Sequence, residues 1–192
     1  LFDPELPLER ARTIPSLWYS DSEIYAAECR SVFAAWQVAG RVEQVADPGS
    51  FVTTNIAGEP VLVVRGDDGI LRAFFNVCRH RATIILQSPQ RGLRNLQCPY
   101  HAWTYGLDGG LKAARRADAM PGFAREDFCL TPVGVEVFGG FVYANLDPDA
   151  VPLARQAGDL AAGIAQWAPD VEQLTLVKRL NYEINANWKN VI

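Results

Sequence analysis

Four side chains in this sequence are spaced for chemistry: Cys78-x-His80 and, seventeen residues further on, Cys98-x-x-His101. The chain has four cysteines and two histidines, and both histidines stand within three residues of a cysteine. Thiolates and neutral imidazoles bind transition metals, and two short stretches that each offer one of both can close on a metal group from two sides. Spacing alone leaves three readings open: buried cysteines beside ordinary polar histidines, a tetrahedral Cys2His2 zinc set, or the ligands of an iron–sulfur centre. The first leaves unexplained why both histidines fall in register with cysteines. The second suits small folds with poor cores, whereas 49% of these 192 residues are hydrophobic. With both histidines in one pattern, the sequence offers no Ser-His-Asp arrangement and no separate histidine acid/base pair.

The elements that must position these residues are legible in outline. Length suggests one domain, or one domain with part of another. "YSDSEIYAAECRSVFAAW" predicts a helix, with Ser20 and Glu23 at capping-box spacing and Tyr19 with Ile24 as a hydrophobic staple. Tyr25, Cys29, Val32 and Trp36 repeat on one apolar face, which makes Cys29 a small core residue. From Gln37 to about Leu146 short strands alternate with glycine-containing turns: "FVTTNI", "VLVV", "ILRAFFNV", "WTYGLDGGLKA" and "GVEVFGGFVYANL". This pattern predicts a small β-sandwich or barrel, with the Cys/His pairs on two connections. Cys129 shows no partner motif and reads as structural. Leu153, Ala157, Leu160, Ile164 and Trp167 predict a helix of about four turns. Leu174, Leu176, Leu180, Tyr182 and Ile184 then share one face of a long strand that needs a sheet to join. The expected divisions are 1–36, an N-terminal segment and helix; 37–150, the β domain; and 151–192, the start of a further domain left incomplete.

Charge is unevenly spread. Eight basic residues and one acid, Asp108, lie between Arg72 and Arg116, so that segment is +7 within a chain of −4 and the remainder is −11. A net acidic chain argues against general nucleic-acid binding. Its apolar runs are too short to span a bilayer. "LFDPELPLERAR" has acids and prolines where an export signal has a basic region and an apolar run. The expectation is a soluble cytoplasmic protein whose thiols stay reduced and bind metal. The positive segment suits docking of an acidic partner.

"CRHRA" and "CPYHAWTYGLDG" resemble the two boxes of the Rieske family, with Ala82 and Ala102 where that family has glycine. A left-handed backbone at those positions is awkward for alanine. Thr83 and Tyr100 stand where respiratory Rieske proteins have a bracing disulfide, and Trp103 where they have a serine donor. The resemblance therefore implies a low-potential [2Fe–2S] centre held by Cys78, His80, Cys98 and His101, at roughly −150 to 0 mV. Arg79 and Arg81 would favour its reduced, negative state.

The flanks "SLWYSDSEIYAAECRSVFAAWQVAGRVEQV" and "NYEINANWKNVI" resemble the α subunit of Rieske non-haem iron oxygenases, particularly the choline-monooxygenase-like members. That likeness implies a mainly β fold: a Rieske [2Fe–2S] domain of small antiparallel sheets, an N-terminal helix, and the opening helix and strand of an α+β catalytic domain. It implies an oxygenase that hydroxylates an aromatic compound or a quaternary amine with O2. A ferredoxin or a flavin reductase would donate the electrons, and the full-length protein would be a homotrimer. The mononuclear Fe(II), held by two histidines and a carboxylate, is expected beyond Ile192, leaving no catalytic residue in this stretch. A stand-alone ferredoxin-type carrier and a structural zinc domain are the alternatives.

Overall fold

The computed structural model describes residues 3–88 and 92–191. Among them nine strands build two antiparallel sheets. The strands are β1 (Gln37–Arg41), β2 (Phe51–Ile56), β3 (Glu59–Arg65), β4 (Leu71–Phe75), β5 (Leu96–Gln97), β6 (Thr104–Tyr105), β7 (Leu111–Ala113), β8 (Pro132–Phe138) and β9 (Phe141–Asn145). The larger sheet runs β1-β9-β8-β4-β3-β2, and the smaller runs β5-β6-β7.

The uninterrupted "VLVV" run marks the centre. Val61, Leu62, Val63 and Val64 are all fully buried in β3, because both faces of the sheet are covered there. Leu62 and Val64 join Phe51 and Phe74 in a core that also takes in Cys78, Cys98, Trp103 and Tyr105. Val61 and Val63 face the other way, with Val52, Ala73, Val133, Val142 and Ala144. Period-two alternation thus sends one run into two cores, and the first of them underlies the Cys/His loops.

The small sheet is seated on the large one at a glycine. Gly109, at the bend between β6 and β7, has φ +83°, and a Cβ there would lie 2.5 Å from the Phe74 ring. Any side chain would lift the hairpin tip off the core.

The helices depart from the sequence expectation. Helix α1 spans Ser22–Glu28, and Asp21 caps it, accepting from the amides of Glu23 at 2.8 Å and Ile24 at 3.3 Å. The expected capping box at Ser20 is displaced by this acid, which is one residue closer to the first turn. A π-helical turn, Cys29–Phe33, continues the helix. Its apolar face is only partly covered: Tyr25 and Val32 are exposed and Cys29 is half-buried. The single four-turn helix divides into α2 (Leu153–Ala157) and α3 (Leu160–Trp167), broken at Gly158 with φ +51°. No helix among the described residues is long and apolar enough to cross a membrane.

The expected strand over 174–184 does not form. These residues pair with no other strand, and their apolar side chains are exposed. A strand exists only through its partner, and polar anchors hold this backbone instead. The Arg41 guanidinium donates to the carbonyls of Val171 and Leu174, and the Glu43 carboxylate accepts from the Leu176 amide at 2.7 Å.

Candidate metal centre

Two loops carry the four residues, and both fold the same way. In the first, the Cys78 amide donates to the Thr83 carbonyl at 2.9 Å and the Ala82 amide to the Cys78 carbonyl at 3.0 Å. In the second, the Cys98 amide donates to the Trp103 carbonyl at 2.8 Å and the Ala102 amide to the Cys98 carbonyl at 3.0 Å. Each loop reverses through a left-handed alanine, Ala82 at φ +52° and Ala102 at +56°. The awkward backbone expected from the two box departures is therefore present. It costs about 1–2 kcal/mol at each alanine.

The loop bases are fixed from below. Asn76, 2% exposed, accepts from the Leu86 amide at 3.0 Å and donates to the Leu86 carbonyl at 2.6 Å, closing the first loop like a staple. The second loop rises from β5 and returns into β6.

This scaffold brings all four predicted residues together and sorts them by depth. Cys78 and Cys98 are buried free thiols in the same core. Burial pushes the Cys98 thiol up, and the amides of Tyr100 and His101 pull against that by donating to the sulfur. His80 and His101 lie above them, with ring centroids 4.8 Å apart and planes at 68°. The His80 residue is exposed, but Trp103 covers one ring face, stacked at 4.8 Å and 7°. Desolvation on that side holds the imidazole below its usual range, aided by His101 and Arg81. The Nδ1 of His101 is buried with no hydrogen-bond partner. A buried nitrogen without a partner is costly unless something else binds it.

Among the described residues no three His, Cys, Asp or Glu side chains gather as a group able to hold one metal ion. The donors instead form a buried sulfur pair and a shallow imidazole pair. A single tetrahedral zinc needs four donors around one point, whereas a two-iron cluster takes its sulfurs on one iron and its imidazoles on the other. The donor set fits the second arrangement.

Sequence reasoning missed three contributors. Tyr105, fully buried, accepts from the Arg79 amide at 3.0 Å, and its hydroxyl lies 3.3 Å from Cys78 Sγ. Burial, then the thiol contact, pushes its ionisation far upward, so the phenol stays protonated. Asn76 and the stacking role of Trp103 were equally hidden, because the first acts across the base of its own loop and the second across two loops. A cavity of about 540 Å³ opens over the imidazoles, lined by His80, Arg81, Tyr100, His101, Arg115 and Arg116. Cys129 is an exposed free thiol, not a core residue.

A family model described as a Rieske [2Fe-2S] domain matches residues 35–124. The chain is 37% identical over 185 residues to the carnitine monooxygenase oxygenase subunit of Escherichia coli K12, covering 96% of this chain and 50% of the relative. It is 34% identical over 200 residues to the chloroplastic choline monooxygenase of Spinacia oleracea, covering 98% and 44%. The crystal structure of the apo form of the quaternary ammonium Rieske monooxygenase CntA superposes with a TM-score of 0.89 at 35% identity, covering 93% of this chain and 52% of that one. The chain thus spans about half the length of the relatives it matches.

Proposed function

Because the chain belongs to the Rieske oxygenase α-subunit family and corresponds to its N-terminal portion, we propose that Cys78 and Cys98 hold the buried iron of a [2Fe–2S] cluster and His80 and His101 the shallow one. The observation that supports this most directly is the division of the site: paired thiols at depth, paired imidazoles nearer the surface, and a buried His101 Nδ1 with nothing in the protein to bind it. When bound, such a cluster supplies one-electron transfer. The chain's own residues do the rest. Buried surroundings keep water from the sulfurs, the Tyr105 hydroxyl lies 3.3 Å from Cys78 Sγ, where it could donate to a thiolate, and the loops present the imidazoles to a basic cavity where electrons can enter and leave.

At the level of the whole protein, we place this chain in a monooxygenase that hydroxylates a quaternary amine with O2. The resemblance to carnitine and choline monooxygenases over nearly all of the chain supports that substrate class over aromatic rings. Both histidines present are committed to the cluster. On this reading the oxygen-activating mononuclear Fe(II) of the whole protein is held by residues other than these two histidines. A ferredoxin or flavin reductase is the electron donor, the assembly is a homotrimer, and the compartment is the cytoplasm. Within this chain, 37–150 is the cluster domain, preceded by 1–36, and 151–192 opens the catalytic domain.

Iron and sulfide analysis of anaerobically purified protein tests the site: two irons and two sulfides per chain are expected, with visible absorption. One zinc per chain in a colourless protein overturns it. The substrate class is tested on the full-length protein with reductase and NADH. Carnitine or choline should stimulate oxygen uptake with a matching hydroxylated product, and coupled turnover of aromatic compounds alone would reassign it.

A further inference from the structure

Trp103 lies in the second loop, yet its ring supports the histidine of the first. It is 3% exposed and stacks on His80 with a centroid distance of 4.8 Å and an angle of only 7°. Behind it, Phe123 and Phe128 meet it edge-on at 5.8 and 5.5 Å, and they stack on each other at 4.9 Å and 16°. Its backbone is fixed as well, since its carbonyl accepts the Cys98 amide at 2.8 Å.

Without a neighbour, an imidazole on an exposed loop turns freely about its side-chain bonds, and a broad range of ring angles is open to it. Here one ring face is covered by an indole that cannot itself turn, because two phenyl rings and a backbone hydrogen bond lock it. The opposite loop supplies this restraint, so the two loops are braced together without a covalent link. All four cysteines are free, and Thr83 and Tyr100 flank the ligands where no second thiol is available.

We infer that Trp103 is a positioning residue: it sets the ring plane of His80 from across the loop boundary and so keeps the imidazole in its ligating orientation through reduction and reoxidation. The inference rests on His80 being a cluster ligand. Offset and parallel ring contacts are worth enough to change an equilibrium or a loss rate about three- to tenfold. Trp103→Leu keeps an apolar side chain and removes the flat face. Trp103→Phe keeps a smaller flat face.

The test compares holoproteins. Wild type, Trp103→Phe, Trp103→Leu and a control truncation in the same core, Leu107→Ala, are purified anaerobically. Their EPR spectra in the reduced state and their rates of cluster loss under air are then measured. Leu107 is 4% exposed and belongs to the same core, so its truncation reports loss of packing alone. The expected order of spectral change and loss rate is wild type, then Trp103→Phe, then Trp103→Leu, with the last about three- to tenfold faster than wild type. Leu107→Ala should lower thermal stability and leave the spectrum unchanged. Should Trp103→Leu fail to accumulate, Trp103→Phe against Leu107→Ala decides, because the brace requires the former alone to alter the spectrum. Two results overturn the inference: tryptophan variants with wild-type spectra and loss rates, or a control that changes both as much as they do. If His80 is not a ligand, the wild type itself lacks the Rieske signal, which separates that failure from failure of the brace.

Discussion

Tyr105 changes the expected redox behaviour of the site. The missing serine at Trp103 suggested that no hydroxyl supports the sulfurs, but the Tyr105 hydroxyl lies 3.3 Å from Cys78 Sγ. Because its oxygen already accepts the Arg79 amide, its own proton is free to point at the sulfur. A hydrogen bond to a thiolate stabilises the more negative, reduced state. Tyr105→Phe should therefore lower the midpoint potential by up to about 65–130 mV, the value of one charge-assisted hydrogen bond in a one-electron couple. Cyclic voltammetry of the holoprotein measures it, and an unchanged potential would show that the proton points elsewhere. The same scale explains the two alanines. Left-handed alanine is tolerated at Ala82 and Ala102 because paired backbone hydrogen bonds around each cysteine leave the loops no other turn.

At the scale of elements, the N-terminal helix is tied to the segment near the opposite end of the described chain. Glu28 accepts from the Trp188 indole at 2.8 Å and from Lys189 Nζ at 2.6 Å, and Asn187 donates to the Tyr19 carbonyl at 3.0 Å. Phe33 meets the Trp188 ring edge-on at 5.2 Å. Helix α1 cannot bury its apolar face on the sheets alone, and this clamp supplies part of the cover. Lys189, then Trp188, holds the Glu28 carboxyl below the usual glutamate range. A depressed folded value means the clamp's contribution is complete above the ordinary glutamate pKa and is lost as pH falls through the folded one. The clamp therefore holds at neutrality and opens in acid. Glu28→Ala should open it at pH 7, speeding exchange of the Asn190 and Val191 amides by about tenfold. Hydrogen-exchange mass spectrometry reads this directly, and unchanged exchange would mean that Phe33 and Asn187 hold the segment unaided.

For the whole molecule, the folded chain sorts the positive segment into separate places. Arg81, Arg115 and Arg116 line the cavity above the imidazoles. Arg94 lies instead in a second cleft beside the turn acids Asp67, Asp68 and Asp108, and Arg91 falls outside the described residues. Asp68, whose carboxyl is lowered to about 2 by the Arg72 guanidinium, neutralises part of that second patch. Among the described residues, Arg115 and Arg116 are therefore the positions at which to test docking near the imidazoles. Reversing both, Arg115→Glu with Arg116→Glu, should slow reduction by an acidic donor protein about tenfold at low salt. The difference should shrink toward 0.5 M salt, where screening acts within a few ångströms. Stopped-flow reduction at two ionic strengths checks it, and equal rates would make these arginines ordinary solvated charges.

The sequence by itself determined what depends on residue type and short spacing. That Cys78, His80, Cys98 and His101 come together was legible from their paired spacing, because the chain has only two histidines and each stands within three residues of a cysteine. The β-rich middle was legible because alternating and turn residues act locally. Only the tertiary structure decided what depends on distant neighbours. Tyr105 beneath Cys78 and Trp103 against His80 are contacts between different loops, and Asn76 bonds Leu86 across the base of its own loop; no local pattern encodes any of them. The four-turn helix broke at Gly158 because a left-handed glycine outweighed apolar periodicity on either side. Residues 174–184 have the alternation of a strand but stay unpaired, because a strand is a property of two chain segments and periodicity describes only one.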